Sequence, residues 1–443
     1  MTTITENKTT GLKFNKRNFT ISGIFILLSL VATWFLSSVD HKFAAIWILS
    51  NVAGFVLQRS RFCFASGFRD LFLFGSGANM KGIILGLVVS SIGFTAIMHW
   101  ITPNILTGDV ASDAHVFPVG ISTAVGGLLF GFGMVIAGGC VSGTLYRLGE
   151  GYLTSISSLI GIIVGMAALI LTWNWWYELV ITNEPTIWLP KLFKIGYFGA
   201  LSITLLALGL IFLLINWWES KNSIPNMPST ANNKMAITLK EKLSLYYNSI
   251  FTEGWSIGLG GAVLGGLAVI MFIVQKPFGV TGGIFELTNK ALVETGIGPQ
   301  VLKGLDELGG CVGSGGETLL TAGIAMTFGT VLGSVVGSTA SGEFKLRIPP
   351  TPIRYVQGIF GGIFMGYGAG LALGCTIGAL FSSIPSLSLS GWLFGISLAV
   401  GSFIGTKIPV SPCLISVPGP RLSAATTGIP CAQASITTLP SGS

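Results

Sequence analysis

From Gly82 to Trp100 the chain reads GIILGLVVSSIGFTAIMHW, and from Ile156 to Trp173 it reads ISSLIGIIVGMAALILTW, with no Asp, Glu, Lys or Arg in either run. Apolar runs of about 20 residues match the hydrocarbon thickness of a bilayer, where a helix satisfies its own backbone hydrogen bonds. Only 9% of the residues are charged, against about 25% in globular proteins, and the mean hydropathy is +0.76. A water-soluble fold is thereby excluded. The fold class expected is an all-α polytopic membrane protein, embedded in the lipid bilayer.

About ten spans are expected, near residues 20–37, 43–58, 80–100, 119–138, 152–173, 195–217, 255–275, 317–338, 354–374 and 389–407. The apolar stretches 62–74 and 278–292 are too short or too interrupted to cross. They read as re-entrant short helices, which are tolerated at depth where protein or a water-filled cavity covers them. The polar, weakly basic residues 1–19 precede the first span and lack a small-residue cleavage site, so that span is expected to be retained.

The formal charge of +7 does not form a nucleic-acid patch, because the basic residues sort by membrane side. With a cytoplasmic N-terminus, 18 of the 24 Lys and Arg fall inside, so both termini are expected in the cytoplasm. A polar linker, 218–254, separates two halves, 43–217 and 255–407. The Pro, Ser and Thr-rich tail 408–443 reads as disordered and gives Cys413 and Cys431 no role.

The two halves share a motif. Gly126 to Leu145 reads GGLLFGFGMVIAGGCVSGTL, and Gly361 to Leu380 reads GGIFMGYGAGLALGCTIGAL. Without gaps the two align Gly126 with Gly361, Gly133 with Gly368, Gly139 with Gly374 and Cys140 with Cys375. FVLQRSRFCF before the first short helix likewise resembles FIVQKPFGV before the second. An odd number of spans separates the copies, so they are expected to be inverted repeats, an arrangement that puts substrate sites near the bilayer midplane.

Cys63 lies in RSRFCFASGFRD, among Arg59, Arg61 and Arg69, with Asp70 available to partner one of them. Arginines beside a membrane cavity are costly unless they face water, one another or an anion. The alternative for Arg59 is plain positive-inside anchoring. A short helix beginning near Cys140 would expose backbone N–H groups there and favour anions, and Arg147 and Glu150 are spaced to pair. A buried cysteine is usually a small hydrophobe, but twin positions in an inverted repeat bring Cys140 and Cys375 to one axis. Cys311, without a repeat partner, reads as structural. Glu286 and Lys290 are spaced for an ion pair, and Glu317 for stabilising a helix start. The cysteines form no metal motif and no P-loop is present, so no metal, cofactor or direct ATP drive is expected.

RSRFCFASGFRD, GFGMVIAGGCVSGTLYRLGEG and GAGLALGCTIG together resemble the YeeE/YedE family of bacterial inner-membrane proteins, over roughly residues 43–407. The helix at 20–37 lies outside the resemblance. It implies a transporter rather than an enzyme, import of thiosulfate across the inner membrane, and three cysteines, Cys63, Cys140 and Cys375, on a narrow central path. The expected mechanism hands the anion between thiols by S–H···S contacts without covalent bonds, with Gly139 and Gly374 admitting close approach and Arg59, Arg61 and Arg69 concentrating anions at the cytoplasmic mouth. Some relatives handle selenium or work with small sulfur-carrier proteins, which leaves a selenium or other sulfur solute as an alternative. A membrane sulfurtransferase using a cysteine persulfide is the rival chemistry.

Overall fold

A computed structural model describes residues 16–103, 114–192, 196–222, 254–274, 278–308 and 321–407. Cys311, Glu317, Cys413, Cys431 and most of the linker and tail lie outside the described residues. The long helices are α1 (Lys16–Val39), α2 (His41–Ser60), α4 (Ala78–Ile101), α5 (Ile121–Ala137), α7 (Leu153–Leu179), α8 (Gly196–Asn222), α9 (Ile257–Val274), α11 (Ala322–Ala340), α12 (Ile353–Leu371) and α13 (Leu389–Lys407). Between them lie the short helices α3 (Phe64–Phe74), α6 (Val141–Gly149) and α10 (Gly282–Glu294), and a π-helical turn, Thr376–Ser382. Among the described residues, nine helical units are long and apolar enough to cross a membrane, and ten if the bent pair of α12 and the π turn is one span. The protein is an all-α, multi-pass membrane protein.

Both re-entrant stretches are helical, as α3 and α10. Two boundaries differ from expectation. Helix α8 runs to Asn222, four residues into the polar stretch that opens at Glu219, because Glu219 is held there by Lys81 of α4 at 2.5 Å. The 354–374 span stops at Leu371. Leu373 then takes a left-handed conformation (φ 56°), and the chain restarts as the π turn, bent by 45° from α12. No charge or proline marks that break in the sequence.

The element order long, short, long, long, short, long occurs twice, as α2 to α7 and as α9 to α13 with the π turn in place of α6. Packing follows the same exchange. Helix α2 packs on α11 as α9 packs on α4, and α5 packs on α13 as α12 packs on α7. The crossing of α5 and α12 shows why glycines are needed. A Cβ on Gly133 would lie 2.5 Å from Gly361 O, and one on Gly361 would lie 2.6 Å from Gly133 O. A Cβ on Gly368 would lie 2.5 Å from Gly126 O, and one on Gly126 would lie 2.9 Å from Gly368 O. Any larger residue would force the backbones apart, a geometry that small residues permit in membranes. Gly126 aligns with Gly361 and Gly133 with Gly368, so each of the two contacts is the equivalent of the other. That reciprocal contact is the signature of two copies related by a twofold axis. Outside this unit, α1 packs on α2 and α11 and exposes Leu27, Leu30, Trp34 and Phe35.

Candidate functional site

The three core cysteines occupy equivalent places, each immediately before a short turn. Cys63 is the N-cap of α3, Cys140 of α6 and Cys375 of the π turn. All three are free thiols, no more than 2% exposed. Local backbone sets these starts. Helix α2 ends on Arg61 in the left-handed region (φ 51°), and α5 ends on Gly138 (φ 76°), whose conformation glycine adopts without strain. Cys140 Sγ then accepts a hydrogen bond from Gly143 N at 3.4 Å and lies 3.2 Å from Ser142 Oγ.

The Cys63 and Cys140 sulfurs both lie against Gly143. Gly143 makes this approach possible, since a Cβ there would lie 3.1 Å from Cys63 Sγ and 3.5 Å from Cys140 Sγ. Cys375 belongs to the same buried cluster as Cys63 and Cys140. The Phe64 ring, next to Cys63, meets Phe62 and Phe381 edge-on, at centroid distances of 5.3 and 5.7 Å, and Phe381 belongs to the π turn. Gly139 and Gly374 differ in use. A Cβ on Gly139 would lie 3.3 Å from Arg147 Nη1, whereas one on Gly374 would lie 2.7 Å from Ala379 N, inside its own turn.

Next to the thiol pair opens a cavity of about 570 Å³, lined by six arginines (Arg59, Arg61, Arg69, Arg147, Arg347 and Arg354) and three carboxylates (Asp70, Glu150 and Glu343). Its lining includes Ser66 and Gly138, three and two residues from Cys63 and Cys140. An excess of arginine in a shared low-dielectric space attracts anions. The expected grouping of Arg59, Arg61 and Arg69 is present, and each is also held by a carboxylate. Arg69 Nη2 lies 2.8 Å from Asp70 Oδ1, Arg61 Nη2 lies 3.3 Å from Glu343 Oε1, and Arg59 Nη1 lies 3.6 Å from Glu343 Oε2. Arg59 is buried, so Glu343 offsets a charge that would otherwise be expensive in the membrane. The Gln58 amide donates to both Glu343 (3.0 Å) and Glu150 (3.2 Å), tying α2 to the end of α6 and to the α11–α12 connection.

The spacing-based pair of Arg147 with Glu150 gives way to other partners. Arg147 Nη1 donates to Gly138 O at 2.6 Å, and Glu150 lies 3.9 Å from Arg347 Nη1. Burial pushes the Glu150 carboxyl above the ordinary carboxylate range, against the opposing effects of the Gln58 amide and Arg147. Glu286 accepts from the Thr321 hydroxyl, and no ion pair with Lys290 is found among the described residues. Glu343, Arg347 and Arg354 were not anticipated as cavity residues. Their signal in the sequence, a charged turn between two spans, is indistinguishable from side-marking charges. The described residues hold no group of three or more His, Cys, Asp or Glu suited to a metal ion.

A family profile described as sulphur transport matches residues 59–404, from the buried arginine to the last turn of α13. The chain belongs to that family. It is a transporter family, and its members' chemistry concerns sulfur. The chain is 28% identical to a protein named thiosulfate transporter TsuA from Spirochaeta thermophila, over 79% of this chain and 94% of the relative. It is 26% identical to a protein of the same name from Escherichia coli, over 80% of this chain and 91% of the relative. It is also 31% identical to the probable transporter YedE of E. coli, over 49% of this chain and 51% of that protein.

Proposed function

We propose that this chain imports thiosulfate across the bacterial inner membrane, along a central path formed by Cys63, Cys140 and Cys375. The observation that carries the reading is the buried pair of thiols, facing each other over Gly143 beside an arginine-rich cavity. Thiosulfate has a soft terminal sulfur and three hard oxygens. A thiol is a weak donor and a weak acceptor, so it holds the sulfur end loosely enough to release it. Weak successive contacts favour passage over trapping. The arginine cavity, placed at the cytoplasmic mouth by the positive-inside count, receives the anion as it leaves the thiols. The similarity to proteins named thiosulfate transporter supports this choice of solute.

The handover is non-covalent in this scheme. Each thiol keeps its proton as the anion passes, and no bond to sulfur is made or broken. The test is a Cys→Ser series in proteoliposomes with radiolabelled thiosulfate. Partial uptake by Cys63→Ser or Cys140→Ser, with no persulfide on the wild type by mass spectrometry, is the expected outcome. A persulfide adduct formed during turnover would replace this scheme with sulfur transfer.

A further inference from the structure

Ten threonines are buried in the described core. Eight donate to a backbone carbonyl, as is usual for buried hydroxyls: Thr95, Thr123, Thr144, Thr204, Thr288, Thr327, Thr330 and Thr339. The two that do not are Thr281 and Thr376, whose Oγ1 atoms are buried without a hydrogen-bond partner among the described residues. They are 2% and 0% exposed. Both stand at the central start of a short helical element of the second half. Thr281 precedes α10, and Thr376 follows Cys375 as the first residue of the π turn.

The local chain explains why they are orphaned. A threonine inside a helix satisfies itself on the carbonyl four residues back, as Thr144 does with Cys140 O at 3.0 Å. The left-handed Leu373 breaks α12 ahead of Thr376 and removes that carbonyl. The described residues just before Thr281, 278–280, are not helical. Two further contacts anchor this region. Ser382 Oγ, at the end of the π turn, donates to Phe278 O at 2.9 Å, and Thr327 Oγ1 donates to Val280 O at 2.8 Å. The segment entering α10 therefore packs on the π turn that Cys375 starts.

The repeat supplies the rest of the geometry. In the first half, the residue before α3 is Cys63 and the residue before α6 is Cys140, and both sulfurs lie against Gly143. Their equivalents by element order are Thr281 before α10 and Cys375 before the π turn. Where the first half has two cysteines at these starts, the second half has Thr281 at one and Cys375, followed by Thr376, at the other.

We propose that Thr281 and Thr376, beside Cys375, form a hydroxyl station that binds the oxygen end of the transported anion while Cys375 holds its sulfur end. This deepens the thiosulfate reading and rests on it. A buried hydroxyl without a partner costs desolvation energy, and the anion's oxygens are the acceptors that offset it when the solute is present. The same station sets specificity. An oxygen-bearing sulfur anion is accepted, and hydrosulfide, which has no oxygens, gains nothing from it.

The test uses full-length protein in proteoliposomes, with radiolabelled thiosulfate uptake and thermal unfolding measured on the same preparations. Thr376→Val and Thr281→Val remove the hydroxyl and keep the shape. Each is expected to raise KM about tenfold, equivalent to about 1.4 kcal/mol, while unfolding temperature is unchanged or higher because an unsatisfied polar group is gone. Thr376→Ser, which keeps a hydroxyl, is expected to stay within twofold of wild type. Competition by hydrosulfide is expected to strengthen relative to thiosulfate in the Val variants. Val variants with wild-type KM and wild-type competition would overturn the station, as would a loss of uptake that tracks a fall in unfolding temperature and is shared by Thr376→Ser. Wild type and Cys375→Ala serve as controls. If wild type takes up no thiosulfate, or Cys375→Ala retains full uptake, the underlying reading fails instead.

Discussion

Val141–Gly149 winds as an α-helix, its first turn capped on the Cys140 sulfur and its last residues carrying Arg147 and leading to Glu150. Thr376–Ser382, built from the aligned copy of the same motif, winds as a π turn with no sulfur cap and continues into Ser383, Ser386, Ser388 and Ser390, all buried. The first turn leads to a cavity of arginines and carboxylates. The second leads to hydroxyls, with Ser383 Oγ on His115 O (2.9 Å) and Ser386 Oγ on Ser382 O (2.8 Å). One repeated motif is therefore followed by two different chemistries. The repeated motif sets where the backbone breaks, and in the proposed scheme the side chains after each break decide which part of the anion they receive.

The sharpest way to break that contrast is to remove the carboxylate at the hub of the charged side. Glu343→Ala takes away the partner of buried Arg59 and of Arg61, and should lower stability by about 3 kcal/mol, read as a loss of folded protein in detergent melts. The matching truncation on the hydroxyl side, Ser382→Ala, removes a neutral hydrogen bond and should cost about 1 kcal/mol. Equal costs for the two would contradict the asymmetry.

The symmetric part of the comparison is tested at the α5–α12 crossing. Gly133→Val and Gly361→Val insert a side chain into the same contact from opposite sides. Each should destabilise by about 1–3 kcal/mol through overpacking, and by similar amounts. A large effect from one and none from the other would mean that the crossing is not reciprocal.

Arg147→Lys probes the junction between cavity and thiols. Lysine lacks the planar fork that reaches Gly138 O, so uptake should fall on the order of tenfold, about 1.4 kcal/mol, with little change in melting. The smallest effect is expected from pH. The folded-state pKa of Glu150 is raised, so its ionised form lowers stability at neutral pH. That cost is removed as the pH falls through the raised value, with no further gain below the ordinary carboxylate range. Melting temperature against pH should show this rise in wild type and a flatter profile in Glu150→Gln.

Much of this was legible in the sequence. The charge-free runs established the spans, the break at Cys140 followed from Gly138 and Gly139, and the short helices followed from the interrupted apolar stretches. The π turn was not legible, because TIGALFSS continues the apolar character of α12 and the left-handed residue is a leucine. Glu343 was missed because its partners, Gln58, Arg59 and Arg61, are remote in sequence and are joined only by packing of α2 on α11. Arg147 and Glu150 were misassigned to each other because helical spacing says nothing of the carbonyl or the guanidinium that a folded neighbour supplies. Thr281 and Thr376 look ordinary in the sequence, since only the fold reveals a hydroxyl with nothing to bond.

The central claim is that thiols from both halves serve one path. Radiolabelled thiosulfate uptake into proteoliposomes by Cys140→Ala and by Cys375→Ala tests it most directly. Either change alone should abolish uptake while the protein still folds. Full uptake by either variant would contradict it.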